Sequence, residues 1–570
     1  MTDESSYLVW ISNPLIYDAS VTQFGFIYHP LYEMLGGNLV RLRQANILIT
    51  FLLSWALIDV VLAKTLHGVT TARAFRLILS AGFATSSMMA FSLWLTTPSY
   101  NSLNLQALLI TAIGIVHASR TPSVASTVGW VLIGVGGWLS FMAKPSSAAA
   151  LAACVLLYLA LTRKLGPKLL TQALPVTLAM LVLSALLIDG SLNGFAQRIR
   201  DGLELGSHLD SGHSLAEIFR VDEFSLTAME QALLRYLPFC IVFSTYLLLS
   251  PRRLWQILGV TSAVIPFMVL LAVTSGRVQL HGGLGYFQNL VMWAAFFSAL
   301  AFYVIHVWSS ASGFRGFQEP LTAMALLAMP YIYAFGSNGN YWWVGGFAGI
   351  FWLAAALPCM GPLVRQKNSA LVLAPILLFV QAITVVLVQS GIERPYRQTQ
   401  PLRINTFKIE AGHPGSGVLL AEPTGRFLSQ AMTLARNAGL EAGAPMIDLT
   451  GRSPGILYLL NAENIGQAWT MGGYPGSLNL AIAALRRVPC EKVAIAWVLQ
   501  EEQGLSRISP DLMVHFGGDL THDYQEAGRW TTSEGAGGHR SQVQTLLKPT
   551  RTRGQATEAC ERARQAGETH

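Results

Sequence analysis

The sequence predicts an α-helical polytopic membrane protein of about 12 spans, followed by a small α/β domain outside the membrane. Three observations predict it. Apolar stretches of roughly 20 residues, the length of a spanning helix, recur from residue 44 to residue 390. Only 12% of the 570 residues are charged and 52% are hydrophobic, where about 25% charged is ordinary for a soluble chain. From Gly391 onward the pattern turns to short apolar runs between polar helices.

Residues 1–43 hold no full span. They carry an acidic pair, Asp3-Glu4, and no Lys or Arg before Arg41. The segment is aromatic and amphipathic, which places it along the membrane interface with its Tyr and Trp at headgroup level. Spans follow at 44–63, 74–96, 103–119, 124–142, 146–163, 168–188, 231–250, 255–275, 285–308, 320–336, 342–362 and 369–390. The fourth and fifth are separated only by Ala143-Lys144-Pro145, which reads as a tight hairpin with Lys144 at its tip.

Basic residues set the orientation. Most of them, from Lys64 to Lys367, follow odd-numbered spans. The opposite side has Arg41, Arg43, Lys144 and Arg277, and a longer loop, 189–230, in which Arg198, Arg200 and Arg220 are offset by acidic residues. The N-terminus, that loop and everything after 390 are therefore expected outside the cytoplasm, in a bacterial inner membrane. The net charge of +7 is spread singly between spans and forms no nucleic-acid patch. Cys154, Cys240 and Cys359 fall in or beside spans, while Cys490 and Cys560 are able to pair if the tail is exported. Two free thiols fit equally well, since spacing does not fix connectivity.

In the tail, Val418–Ala421, Met446–Leu449 and Val493–Leu499 read as buried strands, and Arg426–Ala438 and Ser477–Arg487 as helices. This alternation implies a small α/β domain over 391–528 with a partly parallel sheet. Residues 529–570, polar and rich in Gly, Thr, Arg and Glu, are expected to be disordered. The turn Met471–Ser477 precedes a helix whose N-terminus is able to hold an anion, but a plain connection explains it better.

The chemistry-bearing residues of the first segment are Asp3, Glu4, Asp18 and His29. Solvated groups on an interfacial helix would look the same. The run Asp3-Glu4-Ser5-Ser6-Tyr7, then His29-Pro30-Leu31-Tyr32, then Gly36-Gly37 and Arg41 to Asn46, resembles the first external loop of the GT-C glycosyltransferases. These polytopic enzymes use polyprenyl-phosphate sugars; protein O-mannosyltransferases and the lipid A aminoarabinose transferase are members. The resemblance covers about 1–390 in architecture, though its specific motif is short. It implies a first helix ahead of the acidic pair, so a start lying upstream is expected. The other explanation is that the tail is short enough to be carried across by the helix that follows it.

The resemblance implies that Asp3 takes the proton of the acceptor hydroxyl, with Glu4 as helper or metal ligand. A polyprenyl-phosphate sugar already has a good leaving group, so the protein must supply a base and cations for the departing phosphate. Lys144, Arg277, Arg41 and Arg43 lie on the expected side for that. Lys144 stands in Lys144-Pro145-Ser146-Ser147, where an anion or snorkelling to headgroups would explain it equally; snorkelling is favoured for Arg41 and Arg43. In the 189–230 loop, His208, Asp210, His213 and Arg220 are acceptor-side candidates, and His208-x-Asp210-x-x-His213 has spacing for a divalent metal. A solvated loop explains these residues better, and the metal requirement stays open.

The turns Thr97–Asn101 and Gly336–Trp342 offer amide and aromatic groups suited to sugars, and are also ordinary turn residues. Asp59, inside the first span near its inner end, reads as a packing or helix-end partner. Expected partners are thus a polyprenyl-phosphate sugar, an acceptor outside the cytoplasm and the bilayer. A lipid-linked sugar flippase would show internal repeats and mid-membrane charges, which the sequence lacks. A glycan polymerase or ligase would lean on Arg and His of the large loop; the Asp3-Glu4 pair argues against it.

Overall fold

The computed structural model describes residues 3–70, 72–209, 222–250, 252–274, 286–309, 320–413 and 415–568. Two short helices come first, α1 (Asp3–Ser12) and α2 (Phe24–Met34). The long α3 (Leu39–Thr65) begins where the Asn38 side chain accepts the Arg41 backbone N–H, which satisfies one of the open donors at a helix start. Next come α4 (Arg73–Ala84) and α5 (Tyr100–His117), then α6 (Val124–Ala143) and α7 (Pro145–Leu161). They are followed by α8 (Leu174–Asp189) and the amphipathic α9 (Leu192–Ser207).

Pro145 breaks α6 from α7. Proline disfavours helical backbone in the residue before it, and Lys144 is extended at φ −160° and ψ 100°. Pro145 itself opens α7, where its missing N–H costs nothing. Helices α5 and α6 approach closely because glycines line the seam: a Cβ on Gly136 would lie 2.1 Å from Thr111 Oγ1. Such small-residue seams are how helices associate where lipid removes the hydrophobic driving force.

Seven described helices are long and apolar enough to cross a membrane, among them Leu39–Thr65, Val124–Ala143 and Ala370–Glu393. The count of about 12 is therefore not matched by length and composition among the described residues. The expected span 342–362 is split into Tyr341–Gly346 and Ile350–Lys367, with Gly345, Gly346 and Gly349 at the break. Asp59 pairs with Arg76 at 2.9 Å, the packing role read for it.

After residue 393 the chain forms a two-stranded ribbon, β1 (Phe407–Glu410) with β2 (Gly417–Leu420). It then builds a five-stranded sheet from β3 (Pro445–Asp448), β4 (Glu463–Asn464), β5 (Trp497–Glu501), β6 (Tyr524–Thr531) and β7 (Val543–Pro549). The order is β4-β3-β5-β7-β6, with parallel pairs at β3–β4 and β3–β5 and antiparallel pairs at the other two. The predicted strand 493–499 is shifted, since Cys490–Val493 is a helical turn and β5 begins at Trp497.

The expectation of a disordered 529–570 is wrong. β7 lies inside the sheet with Gln544–Leu547 buried, and Arg553–Glu568 is a helix. Cys560 on that helix bonds to Cys490 across 70 residues. Buried Leu546 and Trp530 pay the ordering entropy that the segment's average composition hides.

The sheet domain rests on the N-terminal helices. Arg487 reaches Asp18 at 2.8 Å and Asp201 of α9 at 2.7 Å. The Tyr17 hydroxyl donates to the Asn464 carbonyl at 3.1 Å, and the Leu39 N–H donates to Ser416 Oγ at 2.9 Å.

Candidate functional site

The acidic pair opens α1, and its two carboxylates point into different surroundings. Glu4 is enclosed. Its Oε1 accepts the backbone N–H groups of Thr96 and Thr97 at 3.1 and 3.0 Å, and its Oε2 accepts from Arg43 Nη2 at 3.0 Å. Arg43 also donates through Nε to Thr97 Oγ1 at 3.0 Å. Three charge-assisted bonds on one buried carboxylate make Glu4 a clamp between α1, α3 and the 96–97 turn.

Asp3 is more open. Its Oδ2 accepts from Arg397 Nη1 at 2.9 Å, and its side chain keeps 26% exposure. Around it stand Tyr7, Tyr100 and Tyr396. The Tyr7 and Tyr100 rings meet edge to face at 5.9 Å. Burial pushes the Tyr7 hydroxyl well above its usual range, with Tyr100, Asp3 and Tyr333 adding to the effect. Burial and then Asp3 raise Tyr396 as well. These phenols stay protonated and remain hydrogen-bond donors beside the carboxylate.

Lys144 is bonded to Tyr333, whose hydroxyl neighbours Tyr7 and Tyr100. Its Nζ donates to the Tyr333 carbonyl at 3.2 Å, and the residue is 7% exposed. No carboxylate among the described residues pairs with it. Burial pushes its ammonium down to about 8, which leaves a positive group in a confined space without a counter-ion. The turn opposite is fitted to it: Gly336, at φ +73°, would bring a Cβ within 2.2 Å of Ser146 Oγ and 3.8 Å of Lys144 Cε.

A cavity of about 180 Å³ extends from Glu4, Arg43 and Arg397 to the sheet domain, whose Arg452, Ser453, Gln544 and His539 form its other wall. Behind that wall lies a buried polar network. Arg452 is bonded to Glu501 at 2.9 Å, and Glu501 also accepts from Gln544 Nε2 at 2.6 Å. Asp448, fully buried, accepts from the Thr450 hydroxyl at 2.6 Å and the Ser453 N–H at 3.0 Å. Burial nonetheless raises its carboxyl to about 6. A network of this kind is costly unless every member is satisfied, and here it fixes the wall that faces Glu4.

The sequence candidates divide. Glu4 and Arg43 line the cavity, Asp3 is tied to it through Arg397, and Lys144 adjoins the tyrosine cluster through Tyr333. Arg43 does not snorkel, because Glu4 and Thr97 hold it inside. Lys144 stands at the turn between α6 and α7, and Tyr333 and the Gly336 turn cover it. Arg41 is exposed at the start of α3, away from the cavity. His29 is a structural tie, with Nδ1 at 2.8 Å from the Ile11 carbonyl. His208 ends α9 and is not brought to Asp3. Asp210, His213, Arg220 and Arg277 lie outside the described residues, so the His208-Asp210-His213 spacing is not tested. Among the described residues no cluster of three His, Cys, Asp or Glu side chains is placed to hold a metal.

Sequence reading missed Arg397, Arg452, Glu501 and Tyr458. The only local signals were the basic residues of the 394–397 linker and the tight turn at Gly451-Arg452-Ser453-Pro454.

No protein-family model matches the chain, and no curated protein does. Two solved structures match over nearly its whole length. They are ArnT from Cupriavidus metallidurans in the apo state and the same protein bound to undecaprenyl phosphate. Identity is 13% in both cases; 95% and 96% of this chain and 93% of each of those chains are covered, with TM-scores of 0.37 and 0.39. Likeness at this level assigns no role to any residue here.

Proposed function

We propose that this integral membrane protein is a GT-C-type glycosyltransferase that moves a sugar from a polyprenyl phosphate to an acceptor outside the cytoplasm. The observation that carries the reading is the pairing of two unlike sites around one tyrosine cluster: a partly exposed carboxylate, Asp3, and a buried ammonium, Lys144, that no carboxylate among the described residues pairs with.

The chemistry follows from those two groups. Asp3 accepts the proton of the acceptor hydroxyl as its oxygen bonds to the anomeric carbon. The bond from that carbon to the phosphate oxygen breaks, and the electron pair leaves with the polyprenyl phosphate. Lys144 offsets the charge that gathers on the phosphate, where low dielectric makes a fixed cation most effective. Arg397 orients Asp3. Glu4 is a positioning residue, holding α1 against Arg43 and the 96–97 turn. The Cys490–Cys560 bond supports placing the sheet domain in an oxidising compartment.

The test is transfer of radiolabelled sugar from a panel of polyprenyl-phosphate donors to envelope acceptors in bacterial membranes that hold the protein. Label transferred from at least one donor, with free polyprenyl phosphate as co-product, is the expected result. No transfer from any donor by well-folded protein in those membranes would overturn the reading.

A further inference from the structure

A groove of about 890 Å³ runs between membrane helices at the end of the protein away from the sheet domain. Its walls come from the helices Ala228–Leu248 and Asn289–Ser309, from the start of Arg253–Thr274 and from the end of Ile350–Lys367. The long helix α3 fixes which end this is. Leu39 at its start bonds to Ser416 of the sheet domain, while Thr65 at its finish accepts from Arg365, two residues before Lys367. At about 1.5 Å per residue those two ends lie about 40 Å apart.

The groove opens sideways. Val242, Tyr246, Trp255, Leu300 and Val304 all line it, and each is more than a third exposed. Along one wall the lining runs from Phe297 to Ile305, about 12 Å of helix. The hydrocarbon of one leaflet is about 15 Å deep, so the groove has the depth of a single leaflet and suits an acyl chain.

The charge lies at one end of it. Lys367 is part of the lining, and Arg252 and Arg253 stand between two further lining residues, Ser250 and Trp255. Among the described residues no carboxylate pairs with any of these three cations. The single acidic residue of the four helices is Glu230, at the opposite end of its own helix. Tyr246 and Trp255, at the same end as the cations, are of the residue types that settle at headgroup level. Basic pockets between membrane helices are where phospholipid headgroups are held.

We propose that this groove is a binding site for an anionic glycerophospholipid, with the phosphate at Lys367, Arg252 and Arg253 and an acyl chain between the helices. The site lies at the other end of α3 from Arg43 and Glu4, and it does not rest on the transferase reading. A polyprenyl phosphate shares the headgroup chemistry; the one-leaflet depth and the distance from Asp3 favour the phospholipid.

Trp255 supplies the readout, because its fluorescence is isolated by subtracting that of Trp255→Phe. The full-length protein is placed in phosphatidylcholine nanodiscs carrying either brominated phosphatidylglycerol or brominated phosphatidylcholine, and the share of brominated lipid that half-quenches Trp255 is measured. Wild type is expected to need several-fold less of the phosphatidylglycerol. Lys367→Gln should reduce that preference about fivefold, the weight of one basic residue at a membrane surface. The double variant Arg252→Gln/Arg253→Gln should reduce it as well. Arg120→Gln should leave it unchanged, since Arg120 is exposed beyond the end of α5 that meets Lys64 and is outside the groove. Equal quenching by the two lipids in wild type would mean ordinary boundary lipid and would overturn the proposal. So would a preference kept in both Lys367→Gln and the double variant, or one lost equally in Arg120→Gln. Displacement of the phosphatidylglycerol by an equal share of undecaprenyl phosphate would overturn the choice of phospholipid. The assay uses no sugar donor or acceptor, so its outcome and that of the transfer assay are independent.

Discussion

Asp3 and Arg397 meet at 2.9 Å across 394 residues of sequence, joining the first turn of α1 to the linker that leads into the sheet domain. The bond puts the Asp3 carboxylate under the control of a segment outside the membrane helices. It also separates the roles of the acidic pair, since Glu4 answers to Arg43 and two backbone N–H groups instead.

Arg397→Ala is therefore expected to reduce transfer about 10-fold while leaving the fold intact, because Asp3 loses orientation and not its charge. Arg397→Lys should recover part of the loss. Steady-state rates with saturating donor check this, and the loss should appear in kcat more than in the donor KM.

Glu4→Gln should behave differently. It weakens three bonds at a buried group and is expected to destabilise the protein by about 1–3 kcal/mol. The check is a lowered midpoint in thermal unfolding, in which Asp3→Asn should differ little from wild type.

Lys144 sets a pH limit. Its ammonium titrates near 8 before an anion binds, so donor affinity should fall as pH rises through about 8, when the cation is lost. Lys144→Arg should move that fall to higher pH, since the guanidinium stays charged. Lys144→Met should raise the donor KM below about pH 8 and approach wild type above it, where Lys144 is itself neutral. Donor KM measured from pH 6.5 to 9.5 checks all three outcomes.

Asp448 ties stability to pH in the sheet domain. Its folded pKa of about 6 lies above the ordinary carboxylate value, so the folded domain binds the proton more tightly than the unfolded chain does. Its contribution is present at low pH and declines as pH rises between about 4 and 6, after which it is flat. The difference between wild type and Asp448→Asn in unfolding midpoint, followed by the fluorescence of Trp497 and Trp530, should change across that window and not above it.

Much of the membrane half was legible in the sequence because apolar length is a strong signal. The sequence singled out the acidic pair, Arg43 and Lys144 as candidates, and read Asp59 as a packing or helix-end partner. Their partners were not legible. Arg397 lies far from Asp3 in the chain, and nothing local marks it as the group that holds that carboxylate. The burial of Lys144 was not legible at its hairpin tip because the Gly336 turn that covers it belongs to a distant helix pair. The ordered region after 529 was hidden by its polar average: β7 carries only a short buried run, and the last helix is fixed by a disulfide and by packing against residues 485–516 rather than by its own hydrophobicity.

The central claim is that Asp3 activates the acceptor. It is tested most directly by comparing wild type and Asp3→Asn in transfer from radiolabelled undecaprenyl-phosphate sugars, at matched expression and thermal midpoint. A loss of about 10²–10⁴-fold, the usual weight of a general base, is the predicted result. Equal transfer by the two proteins would contradict the account and remove Asp3 from the mechanism.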